Sequence, residues 1–250
     1  MGLFEGRVVI VTGASGGIGL AAARLFAHEG ANVLITGRRV RVLEEVTVSY
    51  ASIQGMVANA SDPLAAPRTI GKALELWGRL DVLVNNAGAG AIQPLADVSA
   101  SVAIDIFGVN VIAPILLTSA ALPHISATKG SIINISSTFG SKAGADLSLY
   151  ASSKAAIEHL TRCWALELAP QGVRVNAVAP GPVETDFLRD RMGLSAEQMK
   201  LVKEQERNSI PLARRGVPED IARWIIALAN PAADWITGQI IGVDGGLAIA

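Results

Sequence analysis

Cysteine is almost missing from this chain. Cys163 is the one cysteine in 250 residues, so neither an intrachain disulfide nor a multi-cysteine zinc site can form. A reducing, cytoplasmic setting is the expectation. Charge is also sparse and balanced. Lys plus Arg number 21 and Asp plus Glu 22, a formal net charge of −1, which supplies no global field for holding nucleic acid or an anionic membrane. At 17%, charged residues fall below the roughly 25% usual for soluble domains. Part of the surface is therefore expected to be apolar or covered by other subunits. The three histidines, His28, His124 and His159, stand far apart and adjoin no acidic cluster with ligand spacing, so no metal site is expected. Residues 1–7 carry no apolar signal core, and Gly6 occupies the place of the Ser or Thr in a myristoylation signal. The longest apolar run, 111–122, is too short for a bilayer span and contains Pro114, Thr118 and Ser119. No membrane partner is expected.

What the chain does have is alternation. Short β-branched runs at 7–12, 32–36, 80–84, 131–135, 173–178 and 239–243 read as buried strands, and a weaker run at 53–58 makes a seventh. Between them, 18–29, 40–49, 62–77, 99–124, 150–169 and 218–229 are long enough for helices. Parallel strands need crossovers of this length, and right-handed crossovers cover both faces of the sheet. The predicted fold is therefore α/β, a Rossmann-type, doubly wound, seven-stranded parallel sheet with helices on both faces. No low-complexity linker, repeat or composition break interrupts it, so residues 1–250 are expected to form one dinucleotide-binding catalytic domain. The irregularity is an excursion at about 184–215, where Ser195-Ala-Glu-Gln198 is a capping-box pattern for a short helix. It is expected to cover something, with its many charges solvated.

The first strand runs into Thr12-Gly-Ala-Ser-Gly-Gly-Ile-Gly19 and then an amphipathic stretch. Glycines at 13, 17 and 19, with Ser15 and Ile18 among them, open onto a helix N-terminus, where unsatisfied N–H groups and the macrodipole attract a pyrophosphate. At the end of the second strand an acidic residue would hold ribose hydroxyls. Thr36-Gly37-Arg38-Arg39 stands there instead. Its guanidiniums suit a 2′-phosphate, so NADP(H) is favoured over NAD(H), with Arg38 as the first expected contact and Arg39 as the second.

Tyr150-Ala-Ser-Ser-Lys154 places a phenol and an ammonium one helical turn apart on one face. A free tyrosine titrates near pH 10, and a neighbouring cation is expected to lower that value enough for proton transfer. The strand at 131–135 ends at Ser136-Ser137, where a hydroxyl facing the crevice can hold a substrate oxygen that gains negative charge. Pro114 cannot donate to the carbonyl of Asn110 four residues earlier, so a kink with a free acceptor is expected. A water on that carbonyl would connect to Lys154 and resupply protons to Tyr150. Cys163, in the same helix as Tyr150, is expected to be a small buried group. Trp164, Trp224 and Trp235 are expected in the core or in subunit contacts.

Taken together, these residues resemble the short-chain dehydrogenase/reductase family in its roughly 250-residue form. The resemblance covers essentially the whole chain and rests on Thr12-Gly13-x-x-x-Gly17-x-Gly19, Asn85-Asn-Ala-Gly88, Asn110, Ser137, Tyr150-x-x-x-Lys154, Asn176-Ala-Val-Ala-Pro-Gly181 and Val243-Asp-Gly-Gly246, in family order. It implies that Ser137, thirteen positions before Tyr150, is the catalytic serine, and that Asn110, Tyr150 and Lys154 complete a tetrad. It further implies that Asn86, Ala87 and Gly88 line the cofactor and that Lys154 holds nicotinamide-ribose hydroxyls. Pro180, Gly181, Val183 and Thr185 would border nicotinamide. Asn59, beside Ala60, stands where family members commonly have an adenine-contacting Asp, and Gly16 stands where NADP-binding members carry a basic residue. The expected reaction is hydride transfer between NADP(H) and a ketone or secondary alcohol, with a small, apolar carbonyl substrate and a homotetramer or homodimer. A 3-oxoacyl thioester is the alternative substrate, and a non-catalytic dinucleotide sensor is the rival from another class. Candidate pocket residues are Gln93, Thr138, Phe139, Pro182, Phe187, Leu188 and Met192.

Overall fold

The structure is a computed structural model and describes residues 2–250. Seven parallel strands form one sheet in the order β3-β2-β1-β4-β5-β6-β7. They are β1 Val8–Val11, β2 Asn32–Gly37, β3 Ile53–Val57, β4 Val82–Asn85, β5 Ser131–Ile135, β6 Arg174–Pro180 and β7 Ile240–Val243. The helices are α1 Gly17–His28, α2 Val40–Ser49, α3 Ala65–Trp77, α4 Ala100–Phe107, α5 Ala113–Ala127, α6 Ser148–Leu168, α7 Phe187–Asp190, α8 Ala196–Ser209 and α9 Pro218–Ala229.

The five inner strands, β1, β2, β4, β5 and β6, are buried on both faces because their side chains alternate between two apolar layers, whereas the edge strands β3 and β7 are only partly buried. Val9 and Val11 of β1 pack with Phe26 of α1 and Ile221 and Ile225 of α9. Val8 and Ile10 face the other way, toward Ile70 of α3, Leu117 and Ile125 of α5, and Leu168 of α6. The chain winds outward from β1 in both directions, so the β1/β4 boundary is a switch point with a crevice beyond the strands' carboxyl ends.

Three expectations need correction. The helix predicted over 99–124 is two helices joined by a π turn, Gly108–Ile112, in which the Ala113 N–H donates to the Gly108 carbonyl. The irregularity is thus a π turn just before Pro114, which sits in the first turn of α5. The continuous helical run Ala100–Ala127 is also longer than the apolar run in the sequence. By length and composition it is the one helix among the described residues that could cross a membrane, yet Pro114, Leu117, Ala121 and Ile125 turn one of its faces into the fold. Cys163 is exposed, not buried. Of the tryptophans expected in the core or in subunit contacts, Trp164 packs against the core, and Trp235, 97% exposed, and Trp224, 46% exposed, stand on the surface of the single chain.

The excursion after β6 contains α7 and α8. The capping box at Ser195 forms as predicted. The Ser195 hydroxyl accepts from the Gln198 N–H at 3.2 Å, and the Gln198 side chain accepts from the Ser195 N–H at 2.9 Å. The resulting helix has 14 residues, none of them buried.

Candidate active site

The turn after β1 is shaped by close backbone approach. Gly13 has φ +64°, and a Cβ there would stand 2.7 Å from the Cα of Ala87. A Cβ on Gly19 would collide with the Asn86 side chain. Thr12 joins the two strand ends: its hydroxyl donates to the Val84 carbonyl at 3.3 Å and accepts from the N–H groups of Asn86 and Ala87 at 3.0 Å each. The Asn86 amide donates back to the carbonyls of Thr12 and Gly13. α1 begins directly on this turn with no side-chain cap, and the N–H groups of Gly17, Ile18 and Gly19 find no acceptor among the described residues. An uncapped helix start lined by glycine is a site built for an anion. A dinucleotide pyrophosphate therefore fits the residues present.

At the end of β2 the two arginines differ. Arg38 is exposed at the cavity rim. Arg39 folds back over the glycine turn, donating from Nη2 to the Ser15 carbonyl at 2.5 Å and from Nε to the Ser15 hydroxyl at 3.3 Å. A Cβ on Gly16 would lie 2.5 Å from that same Nη2, so Arg39 fills the space that a side chain at 16 would need. The sequence favoured Arg38, whereas the geometry brings Arg39 onto the loop. Asn59 and Ala60 border the same cavity.

The carboxyl ends of β4 and β5 meet the start of α6. Lys154 is buried, and its ammonium donates to the Ile135 carbonyl at 2.9 Å and lies 5.7 Å from the Tyr150 ring centre. Burial lowers the Lys154 pKa to about 8. Burial also raises the pKa of the Tyr150 phenol, against the opposing effect of a hydrogen bond with Ser137. The expected lowering of the tyrosine is therefore not present. The lysine's charge is spent on a carbonyl, and desolvation dominates both groups.

The two serines separate cleanly. Ser136 turns into the fold, donating to Glu158 at 2.8 Å, while Ser137 faces Tyr150. Asn110 is buried behind them. Its side chain accepts from the Ala89 N–H at 2.8 Å and donates to the Ala89 carbonyl and the Ser153 hydroxyl, each at 2.9 Å. A Cβ on Gly88 would meet Asn110, Lys154 and Phe187 all within 3.8 Å, so the three converge on that glycine.

All the residues expected at catalytic or cofactor positions border one cavity of about 690 Å³, except Asn110, which lies beneath its wall. Phe139, Pro182, Phe187, Leu188 and Met192 line it too. Gln93 and Thr138 do not: the Gln93 amide donates to the Asp97 carbonyl, and the Thr138 hydroxyl to Asp244 at 3.0 Å. The Phe187 ring lies 6.1 Å from that of Tyr150. Ile92, Leu147, Val202 and Gln205 also border the cavity, and no motif marked them.

Sequence reading also missed Arg215. Its side chain is 3% exposed, pairs with Glu206 of α8, reaches Glu184 at 3.1 Å and donates to the Val183 carbonyl at 2.7 Å. Glu184 also takes Lys203 at 2.5 Å and Arg207 at 3.7 Å. Burial alone would raise its pKa, but the Lys203 hydrogen bond and the three cations hold it below the ordinary range. The charges of the excursion, expected to be solvated, are thus partly a network that ties α8 to the end of β6.

A parallel sheet with a glycine-lined anion site and a buried Tyr–Lys pair at one switch-point crevice defines a dinucleotide-binding oxidoreductase. The particular family follows from the comparisons. The family model described as enoyl-(acyl carrier protein) reductase matches residues 13–248. The chain is 36% identical to the 3-oxoacyl-[acyl-carrier-protein] reductase FabG of Thermotoga maritima, covering 98% of this chain and 99% of the relative. It is 38% identical to the granaticin polyketide synthase putative ketoacyl reductase 2 of Streptomyces violaceoruber, covering 97% and 96%. A solved short-chain dehydrogenase/reductase of unknown function from Caenorhabditis elegans, determined with cofactor, superposes with a TM-score of 0.92 at 37% identity, covering 99% of this chain and 97% of the other. This chain belongs to the short-chain dehydrogenase/reductase family of oxidoreductases.

Proposed function

We propose that this protein is an NADP(H)-dependent carbonyl reductase or alcohol dehydrogenase acting on a ketone or secondary alcohol, in one catalytic domain whose segment 184–215 covers the crevice. The observation that carries this reading is the burial of Tyr150, Lys154 and Ser137 in the same cavity as the uncapped glycine turn. The turn at 13–19 would hold the pyrophosphate, Arg38 and Arg39 the 2′-phosphate, and Asn59 and Ala60 the adenine side. Asn86, Ala87, Gly88, Pro180, Gly181, Val183 and Thr185 would border the remainder. When bound, the nicotinamide supplies or accepts the hydride.

Ser137 donates to the substrate oxygen and orients it. Tyr150 gives its proton to that oxygen in reduction and removes it in oxidation. Its raised pKa keeps the phenol protonated through neutrality, as an acid must be. Lys154 stabilises the developing phenolate and holds ribose hydroxyls. The Asn110 side chain is fully engaged with Ala89 and Ser153, which leaves its main-chain carbonyl to hold the relay water.

Phe139, Phe187, Leu188 and Met192 make the substrate end largely apolar, which favours a hydrophobic ketone. The Thermotoga and Streptomyces relatives are named for 3-oxoacyl substrates, and a 3-oxoacyl thioester is the second reading. Exposed Ile104, Ile112, Ile115 and Leu116 on α4, the π turn and α5, and Trp224, Trp235 and Ile236 about α9 and β7, supply apolar surface for a homotetramer or homodimer. The setting would be cytoplasmic. The test is a ketone, 3-oxoacyl thioester and alcohol panel read by nicotinamide absorbance with both cofactors. NADPH-linked turnover supports the reading. Tight NADPH binding with no turnover across the panel supports a dinucleotide sensor instead.

A further inference from the structure

We propose that Arg191, carried by the segment that covers the crevice, is a third cation for the adenosine 2′-phosphate, and that Asp190 competes with that phosphate for Arg39. Cofactor choice would then be set partly by the lid. This rests on the NADP(H) reading above.

Arg38, Arg39, Asp190 and Arg191 border the same cavity, two from the end of β2 and two from the end of α7. The contact between these distant segments is the ion pair from Arg39 Nη1 to Asp190 Oδ2 at 3.8 Å, with both side chains partly exposed. Asp190 is held more closely by its neighbour, since Arg189 Nε lies 2.8 Å from Oδ1. Arg39 is thus the looser of its two partners. Arg39 is anchored independently by the Ser15 carbonyl and hydroxyl, so it can lose Asp190 without leaving the loop.

Arg191 is half-buried, which lowers its pKa. The charges of Arg38 and Arg39 lower it further, against Asp105 and Asp190, which raise it. Three guanidiniums therefore share one rim of the cavity, with Asp105 and an already occupied Asp190 as the nearby acids. Gathering like charges is costly, and a dianion placed among them relieves that cost. A 2′-phosphate beside Arg39 would repel the Asp190 carboxylate and attract the adjacent Arg191, exchanging one lid contact for another. A dinucleotide without that phosphate leaves the Arg39–Asp190 pair as it is.

The experiment measures dissociation constants for NADPH and NADH on the full chain by titration calorimetry, for wild type and the variants Arg39→Gln, Arg191→Gln, Asp190→Asn and Lys200→Gln. Lys200 lies on α8, is exposed and does not border the cavity. Losing one charge-assisted contact should weaken NADPH binding about tenfold in each of the first two variants, with NADH changed by less than about twofold. Asp190→Asn should tighten NADPH by roughly threefold. If Arg39→Gln lowers the NADPH preference and Arg191→Gln does not, the lid inference fails while the phosphate site stands. If neither Arg39→Gln nor a companion Arg38→Gln alters the preference, the NADP(H) reading itself fails. An equal effect from Lys200→Gln would mean a diffuse field rather than a contact, and would overturn the proposal.

Discussion

The wall of the crevice and its lid are built from opposite materials. On the wall, Asn110, Ser137, Tyr150 and Lys154 are buried, and two of them are tied by short hydrogen bonds to backbone from other elements: Lys154 to Ile135 and Asn110 to Ala89. In the lid, α8 has no buried residue, and its attachment runs largely through ion pairs converging on Arg215 and Glu184. Buried hydrogen bonds fix a geometry, because leaving a partner unmade costs its full desolvation. Partly exposed ion pairs hold a position only loosely. The difference suits the wall to holding a fixed geometry and the lid to local opening.

The comparison breaks first at Tyr150. Replacing it with Phe should remove the proton donor and lower turnover by roughly 10²- to 10⁴-fold while leaving the NADPH dissociation constant close to wild type. Steady-state rates with calorimetric binding check this. Turnover within a few-fold of wild type would mean that the wall is not where the chemistry lies.

Asn110→Ala comes next. It leaves the N–H and carbonyl of Ala89 without their side-chain partner and removes the bond that the Ser153 hydroxyl accepts, though that hydroxyl still donates to the Tyr150 carbonyl, and should cost about 3 kcal/mol of stability, read by chemical denaturation. A loss below about 1 kcal/mol would show that the wall is softer than its hydrogen bonds imply.

For the lid, Arg215→Met removes a side chain that is almost wholly buried, but its partners Glu184 and Glu206 are 35% and 22% exposed and can rehydrate. The loss should therefore be about 2 kcal/mol rather than that of a fully buried pair broken on one side. It should appear as faster proteolysis within 184–215 and a raised KM, with kcat little changed. A fall in kcat with protease resistance intact would place Arg215 in the wall's chemistry instead.

The pH profile sharpens the contrast from the wall side. Lys154 carries its charge below about pH 8 and loses it above, whereas the phenol, with its raised pKa, stays protonated. Carbonyl reduction should therefore be flat through neutrality and fall about tenfold per unit above pH 8. The linked effect on stability has the opposite sign. Between pH 8 and the ordinary lysine value of 10.5 the unfolded chain binds the extra proton. The cost of burying the charge, roughly 3 kcal/mol, is present below pH 8 and relieved as pH rises through that window. Reduction that continues unchanged to pH 10 would remove Lys154 from the proton path.

The two regions also differed in how far the sequence revealed them. β-branched runs marked the inner strands, because burial on both faces leaves a continuous apolar signature, while the edge strand β3, half exposed and interrupted by Gly55, left only a weaker one. The Tyr150–Lys154 spacing is a property of one helix and needs no tertiary information. What stayed hidden depends on partners remote in sequence. The π turn at 108–112 lies where Asn110 is held by Ala89 from another segment; Pro114 announces an irregularity there but not its form. Arg39 folds back because Gly16 leaves room. Arg215 is buried by Glu184, 31 positions earlier, and Glu206, so a charge run that reads as solvated is partly a network. The phenol's raised pKa follows from desolvation, which spacing alone does not report.

The smallest expected effect tests the lid at its one locally encoded feature. Ser195 caps α8 and Gln198 reciprocates, so Ser195→Ala forfeits the hydroxyl acceptor of the Gln198 N–H while the Gln198 side chain keeps its bond from the backbone N–H of residue 195. A cap of this kind is worth about 1 kcal/mol. Since α8 buries nothing, that loss has no core packing to offset it, and it should fall on local opening rather than on the global transition. Amide exchange in the first turn of α8 should speed up about fivefold, while exchange in β1, β4 and β5 stays at the wild-type rate. Faster exchange in the strands as well would mean that lid and wall open as one cooperative unit, and the division of labour between them would fall.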